Sequence, residues 1–154
     1  PGTASTAISL PGLPSFAASI CYEGIVPDYV IHKQNKNAEW IINITNDGWF
    51  GISTGPFQHL AIQRLRAVEE GKPLLRVSNP GVSAIIDPYG RILLSLGLDK
   101  QSFGIGQLPP ALKINTPFAI IGNFILIFFL VFFVLLICAG RKLDRLVTRN
   151  TAEL

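Results

Sequence analysis

Cys21 is the residue whose type and setting best suit chemistry. It closes the apolar run FAASIC (residues 16–21) and is followed by Tyr22, Glu23 and Gly24. A bend at the end of a strand exposes a thiol, and backbone N–H groups at such a bend favour a thiolate and hold an oxyanion. Those are the two main needs of acyl transfer through a thioester. The competing reading is an inert core cysteine, because small free thiols are often simply buried.

Other reactive side chains lie downstream. The loop at residues 46–56 carries Asn46, Asp47, Trp49 and Phe50 among glycines. His59 invites a cysteine–histidine pair with Asn46 or Asn79 as orienter, but it falls within an amphipathic helical pattern, which favours a structural or surface role. Glu69 and Glu70 read as a solvated helix end, and Arg76, beside a strand, as an ion-pair partner. These residues call for no metal and no cofactor.

The elements that must position this chemistry follow from pattern. Residues 16–21 suit a short buried strand, and residues 27–36 a helix broken by Gln34-Asn35-Lys36-Asn37. WIINIT (residues 40–45) has β-branched residues on both faces, predicting an interior strand covered on two sides. Leu60, Ala61, Leu65 and Val68 recur at helical spacing over residues 57–70, and Gly71 with Pro73 supplies a stop. Three short strands are predicted at residues 74–78, 82–87 and 91–96, joined by the turn sequences Asn79-Pro80-Gly81 and Asp87-Pro88-Tyr89-Gly90. The order is mixed α/β.

Five segments, S-I-C-Y-E-G, I-I-N-I-T-N-D-G-W-F-G, G-P-F-Q-H-L, R-A-V-E-E-G-K-P-L-L-R and N-P-G-V-S-A-I-I-D-P-Y-G-R, occur in this order over about residues 16–96. In order and spacing they resemble the second half of the nitrilase-like domain of apolipoprotein N-acyltransferases, within the carbon-nitrogen hydrolase superfamily. The resemblance implies half of an α-β-β-α sandwich. It implies Cys21 as the nucleophile that takes an acyl chain from a phospholipid and passes it to the N-terminal amine of an apolipoprotein. Tyr22 would offer its backbone N–H to the oxyanion, and Glu23 matches the acidic residue two positions after the nucleophile. The loop bearing Asn46, Asp47, Trp49 and Phe50 would flank the substrate. The family's general-base Glu and supporting Lys precede the cysteine, whereas here no Glu or Lys precedes Cys21, and Lys33, Lys36 and Lys72 do not match the motif. The chain therefore reads as a C-terminal fragment, inactive alone. The alternatives are a membrane-anchored amidase using the same cysteine and a non-catalytic remnant.

Composition bounds the rest. Of 154 residues 49% are apolar, and the net charge is only +3, which argues against nucleic-acid binding. The run FAIIGNFILIFFLVFFVLLICA (residues 118–139) is uncharged, and at 1.5 Å per residue it spans roughly 33 Å, enough for a bilayer core. Arg141, Lys142, Arg145 and Arg149 follow at once, which by the positive-inside rule puts the tail in the cytoplasm of a bacterial inner membrane. The expected organisation is a partial nitrilase-like domain at residues 1–107, a proline-rich linker at 108–117, a membrane helix at 118–140 and a basic tail at 141–154. Residues 1–117 are then periplasmic. Cys21 and Cys138 are expected as free thiols, since Cys138 lies within the apolar run.

Overall fold

In a computed structural model of the chain, residues 6–27, 29–31 and 35–152 are described, with side chains described as far as Arg141. The short apolar segments become strands: β1 Phe16–Ile20, β2 Trp40–Thr45, β3 Leu74–Ser78, β4 Ser83–Ile86 and β5 Ile92–Leu96. They form one sheet in the order β1-β2-β3-β4-β5. The first three are parallel, with Ile20 opposite Ile44 and Ile44 opposite Val77, and the last two add antiparallel. Parallel neighbours need crossovers. A helix, α1 Gly55–Glu70, makes the second of these, between β2 and β3.

Side chains alternate across each strand. Ala17, Ile41, Leu74, Ala84 and Ile86 point to one face and join Leu60 and Ala67 of α1 in the core. Ile41, Leu74 and Ile86 are fully buried, each burial contributing about 1.5–3 kcal/mol. The opposite face is different. Ile20, Ile44 and Val77 lie in register across three strands and remain exposed. The two-sided cover expected for WIINIT is thus incomplete: on the second face Trp40 is buried and Ile42 half-buried but Ile44 is exposed, while its central place between β1 and β3 is as expected.

Local signals explain the ends of α1. Pro56 sits in the first turn, where a missing N–H costs nothing. At the other end Gly71 has φ +63°, its N–H donates to the Val68 carbonyl, and the Lys72 N–H reaches back to Ala67. That pair of bonds is a Schellman cap, which requires the left-handed conformation glycine tolerates. The face that α1 buries is not the expected one. His59, Leu60, Gln63, Arg66, Ala67 and Glu70 are buried, whereas Leu65 and Val68 are about half exposed and Ala61 is exposed. The helix turns a mostly polar stripe inward because the sheet beneath it carries the buried polar residues Asn43 and Arg76. The solvated helix end expected of Glu69 and Glu70 is corrected likewise: Glu70 is buried, and Glu69 pairs with Arg66 at 2.9 Å.

In the segment between β1 and β2, part of the helix expected over residues 27–36 lies outside the described residues, and the described ones, 27, 29–31, 35 and 36, are in turns and bends rather than helix. A 3-10 turn, Cys21–Ile25, is followed by turns and bends, with residues 28 and 32–34 outside the described set. Val30, Ile31 and Ala38 anchor it in the core, and the buried Asn35 donates through Nδ2 to the Val30 carbonyl at 2.9 Å.

The proline-rich segment after β5 is tied to the end of α1. The Leu112 N–H donates to the Gly71 carbonyl at 2.8 Å, and the Thr116 hydroxyl donates to the Glu69 carbonyl. The chain divides into two units after Ile120. The apolar run is two helices, α2 Pro117–Ile121 and α3 Phe124–Ala152, separated by Gly122 at φ +60°. Within α3, Phe124–Arg141 is long and apolar enough to cross a membrane, and its apolar side chains are exposed.

Candidate active site

Crevices at the carboxyl ends of parallel strands are where open α/β sheets place their ligands. Cys21 follows β1 immediately, and Asp47 lies two residues after β2. Cys21 has φ +51°, a left-handed conformation that costs a non-glycine residue about 1 kcal/mol or more. Such a conformation persists only where its surroundings hold it. The chain bends there from strand into 3-10 turn, as the sequence anticipates, and Cys21 is half-buried rather than sealed in the core.

Four side chains hold the bend. The Glu23 carboxylate accepts the Ile20 N–H at 2.7 Å, bracing the turn from its own third residue. Asn43, fully buried on β2, directs its Nδ2 to the Ser19 hydroxyl at 3.0 Å and to the Cys21 carbonyl at 3.2 Å. From α1, Gln63 lies against Gly24, where an added Cβ would fall 2.2 Å from the amide nitrogen. Arg66 donates to the Ile25 carbonyl at 3.3 Å.

Beneath the turn lies a buried ionic cluster. Arg76 is wholly buried and donates to Val82 O at 3.2 Å, to Asn43 Oδ1 at 3.0 Å and to Asp47 Oδ2 at 2.6 Å. The other oxygen of Asp47 lies 2.9 Å from His59 Nδ1. With Asp47 as acceptor, His59 carries its proton on Nδ1, and Nε2 then accepts the Gln63 amide N–H at 3.3 Å. Arg76 Nη2 also stands 3.2 Å from His59 Nδ1, but both are donors sharing one carboxylate. Burial pulls the Arg76 pKa below its ordinary value, while Asp47, by charge and hydrogen bond, and Cys21, by charge, oppose the fall.

The remaining sequence candidates divide between surface and interior. Tyr22 is half exposed, its ring stacked on His59 at 5.2 Å and tilted against Phe50 at 6.2 Å. Trp49 is 89% exposed, and Phe50 is half-buried. Asn46 is exposed and accepts the Gly48 N–H at 2.8 Å in a tight turn. Asp47 faces inward. His59 is 3% exposed with both ring nitrogens engaged, so it does not serve Cys21 as a papain-like base; the structural role favoured by its helical setting is the one observed, in the interior. Arg76 is the ion-pair partner anticipated for it. Among the described residues no cluster of His, Cys, Asp and Glu has the arrangement of a metal site.

Residues 1–117 match the family described as carbon-nitrogen hydrolase. The chain belongs to the carbon-nitrogen hydrolase family. The chain is 49% identical over 122 residues to the apolipoprotein N-acyltransferase of Bradyrhizobium diazoefficiens, an alignment that covers 79% of the chain and 22% of that protein. To the apolipoprotein N-acyltransferase of Rickettsia bellii it is 49% identical over 118 residues, covering 77% of the chain and 23% of that protein. The chain thus spans between a fifth and a quarter of the length of these relatives. An amidase from Nesterenkonia sp. shares the fold with a TM-score of 0.50 at 20% identity, over 64% of this chain and 39% of its own. The mixed α/β sheet read from the sequence is therefore of the nitrilase kind.

The floor of the site was not read from the sequence. Asn43, Gln63 and Ser19 received no role, and for His59 a structural or surface place was favoured without its partners Asp47 and Gln63. A signal was present. Asn43 and Arg76 interrupt two apolar strands, and the register places them side by side. His59, Gln63, Arg66 and Glu70 recur at helical spacing as regular as that of the apolar residues.

Proposed function

We propose that this chain is the nucleophile-bearing part of an acyltransferase that matures bacterial lipoproteins. Cys21 Sγ attacks the ester carbonyl of a phospholipid, the carbon–oxygen bond breaks, and the lysolipid leaves with a proton. The α-amine of a lipoprotein's N-terminal cysteine then attacks the thioester. The carbon–sulfur bond breaks, an amide forms, and the amine's proton restores the thiol. Tyr22 supplies its backbone N–H to the oxyanion, and Glu23 keeps the turn closed around it. The substrate lies on the side presented by Asn46, Trp49 and Phe50, with Asp47 holding that loop from below. The general-base Glu and supporting Lys come from the part of the relatives' length that this chain does not span.

One observation carries this reading: Cys21 occupies a left-handed bend at the carboxyl end of β1, in a chain about half identical to proteins named apolipoprotein N-acyltransferase. The helix over Phe124–Arg141 supports a membrane location. With Arg141, Lys142, Arg145 and Arg149 on the cytoplasmic side, residues 1–117 lie in the periplasm, facing the lipid donor and lipoprotein acceptor.

The test uses the full-length protein and phosphatidylethanolamine labelled in its acyl chain. Wild type is expected to accumulate a hydroxylamine-sensitive label on Cys21, and Cys21→Ala none. Release of ammonia from small amides, with no long-chain adduct, would identify an anchored amidase instead. Maturation of lipoproteins by the Cys21→Ala protein would remove the assignment altogether.

A further inference from the structure

We propose that His59, clamped by Asp47, is a positioning residue for Cys21. The proposal rests on the reading of Cys21 as the nucleophile. His59 projects from α1 under the strained turn, and its ring supports the ring of Tyr22, the next residue after Cys21, at 5.2 Å and an interplanar angle of 22°. Phe50, from the loop after β2, closes the same cluster at 6.0 Å from the imidazole. Phe50 meets the Tyr22 ring only at an angle, 6.2 Å away and tilted by 37°, so the imidazole is the face on which the tyrosine stacks. Where this platform stands decides where the backbone N–H of Tyr22 and the sulfur of Cys21 point.

The imidazole is fixed in turn. Asp47, after β2, accepts from Nδ1 at 2.9 Å; Gln63, on α1, approaches Nε2 at 3.3 Å; and Arg76, on β3, locks Asp47 from the other side at 2.6 Å. The same Arg76 binds Asn43, whose amide reaches the Cys21 carbonyl at 3.2 Å. The turn is therefore held at two points by one network. Asn43 grips the Cys21 backbone, and His59 props the following side chain. A group whose displacement moves a nucleophile by about 1 Å costs up to about a hundredfold in rate, without touching substrate.

The experiment uses full-length protein in which Cys138→Ser removes the second free thiol of this chain, with any thiol outside it likewise replaced by serine, so that iodoacetamide reports on Cys21. Alkylation rate, single-turnover thioester formation, lipid KM and melting temperature are measured for His59→Ala, His59→Asn and Tyr22→Leu. His59→Ala is expected to slow alkylation and thioester formation about tenfold or more, with lipid KM within about twofold. His59→Asn keeps an N–H for Asp47 and should recover part of the loss. Tyr22→Leu, on the exposed side of the stack, should slow alkylation as His59→Ala does and keeps the test decisive if His59→Ala does not fold. Lowered melting temperature with both rates within about twofold of wild type in the folded variants overturns the proposal. Because alkylation needs neither lipid nor lipoprotein, this failure is separable from failure of the acyltransferase reading, which Cys21→Ala tests.

Discussion

Removing the Asp47 carboxylate tests the buried cluster most directly. Its side chain is 1% exposed and that of Arg76 0%, with 2.6 Å between their charged atoms. Asp47→Asn leaves a guanidinium in the interior facing a neutral amide. Breaking a buried pair on one side costs about 3–5 kcal/mol, because the surviving charge has lost its compensation. For a unit of this size that corresponds to a fall of roughly 10–25 °C in melting temperature. The cost of Asp47→Asn includes the His59 contact, so a cycle with Arg76→Met separates the terms. The double variant no longer strands a charge and should be less destabilised than the two singles summed, by about 2–3 kcal/mol. Unfolding is best followed through the buried Trp40, with the 89% exposed Trp49 replaced by Phe. Single-variant costs below about 1 kcal/mol, or additivity within about 0.5 kcal/mol, would refute the account of the cluster.

Three further outcomes follow from the same geometry. Gly24→Ala places a Cβ 2.2 Å from the Gln63 amide nitrogen and should destabilise by about 1–3 kcal/mol; a neutral urea midpoint would mean that Gln63 moves freely. Leu60→Ala should cost about 2–4 kcal/mol and Leu65→Ala less than about 1 kcal/mol, since only the first is buried; equal costs would restore the apolar stripe to the core. At Asp87 burial pushes the carboxyl up, but the Arg91 N–H and guanidinium and the Tyr89 N–H outweigh it and hold the pKa below the usual carboxylate value. Its stabilisation is therefore complete above the unfolded pKa of about 3.9 and lost as pH falls through the folded value. Wild type should melt above Asp87→Asn at pH 7, with the gap narrowing below about pH 4; a constant gap down to pH 2.5 would count against this.

The strands were legible because their signals are local. WIINIT and LLRVS form strands over the whole of their lengths, and the Asn79-Pro80-Gly81 and Asp87-Pro88-Tyr89-Gly90 turns separate the antiparallel pair and its neighbour as their residue types require. The bend at Cys21 was legible for the same reason, since a residue closing an apolar strand before a turn is visible in one short window. What could not be read locally is the direction α1 faces. Hydrophobic periodicity assumes an apolar partner surface, and Leu60, Ala61, Leu65 and Val68 gave a stripe as regular as that of His59, Gln63, Arg66 and Glu70. The choice is made by Arg76 and Asn43, adjacent on the sheet, because an uncompensated buried guanidinium costs more than leaving Leu65 and Val68 half exposed. A helix buries the face that complements its sheet. The consequence reaches the site: the bend at Cys21 is held by hydrogen bonds with Asn43, Glu23 and Arg66, above a buried network in which Asp47, His59, Gln63 and Arg76 bond to one another, and such a directional floor resists the small shifts that an apolar packing surface would allow.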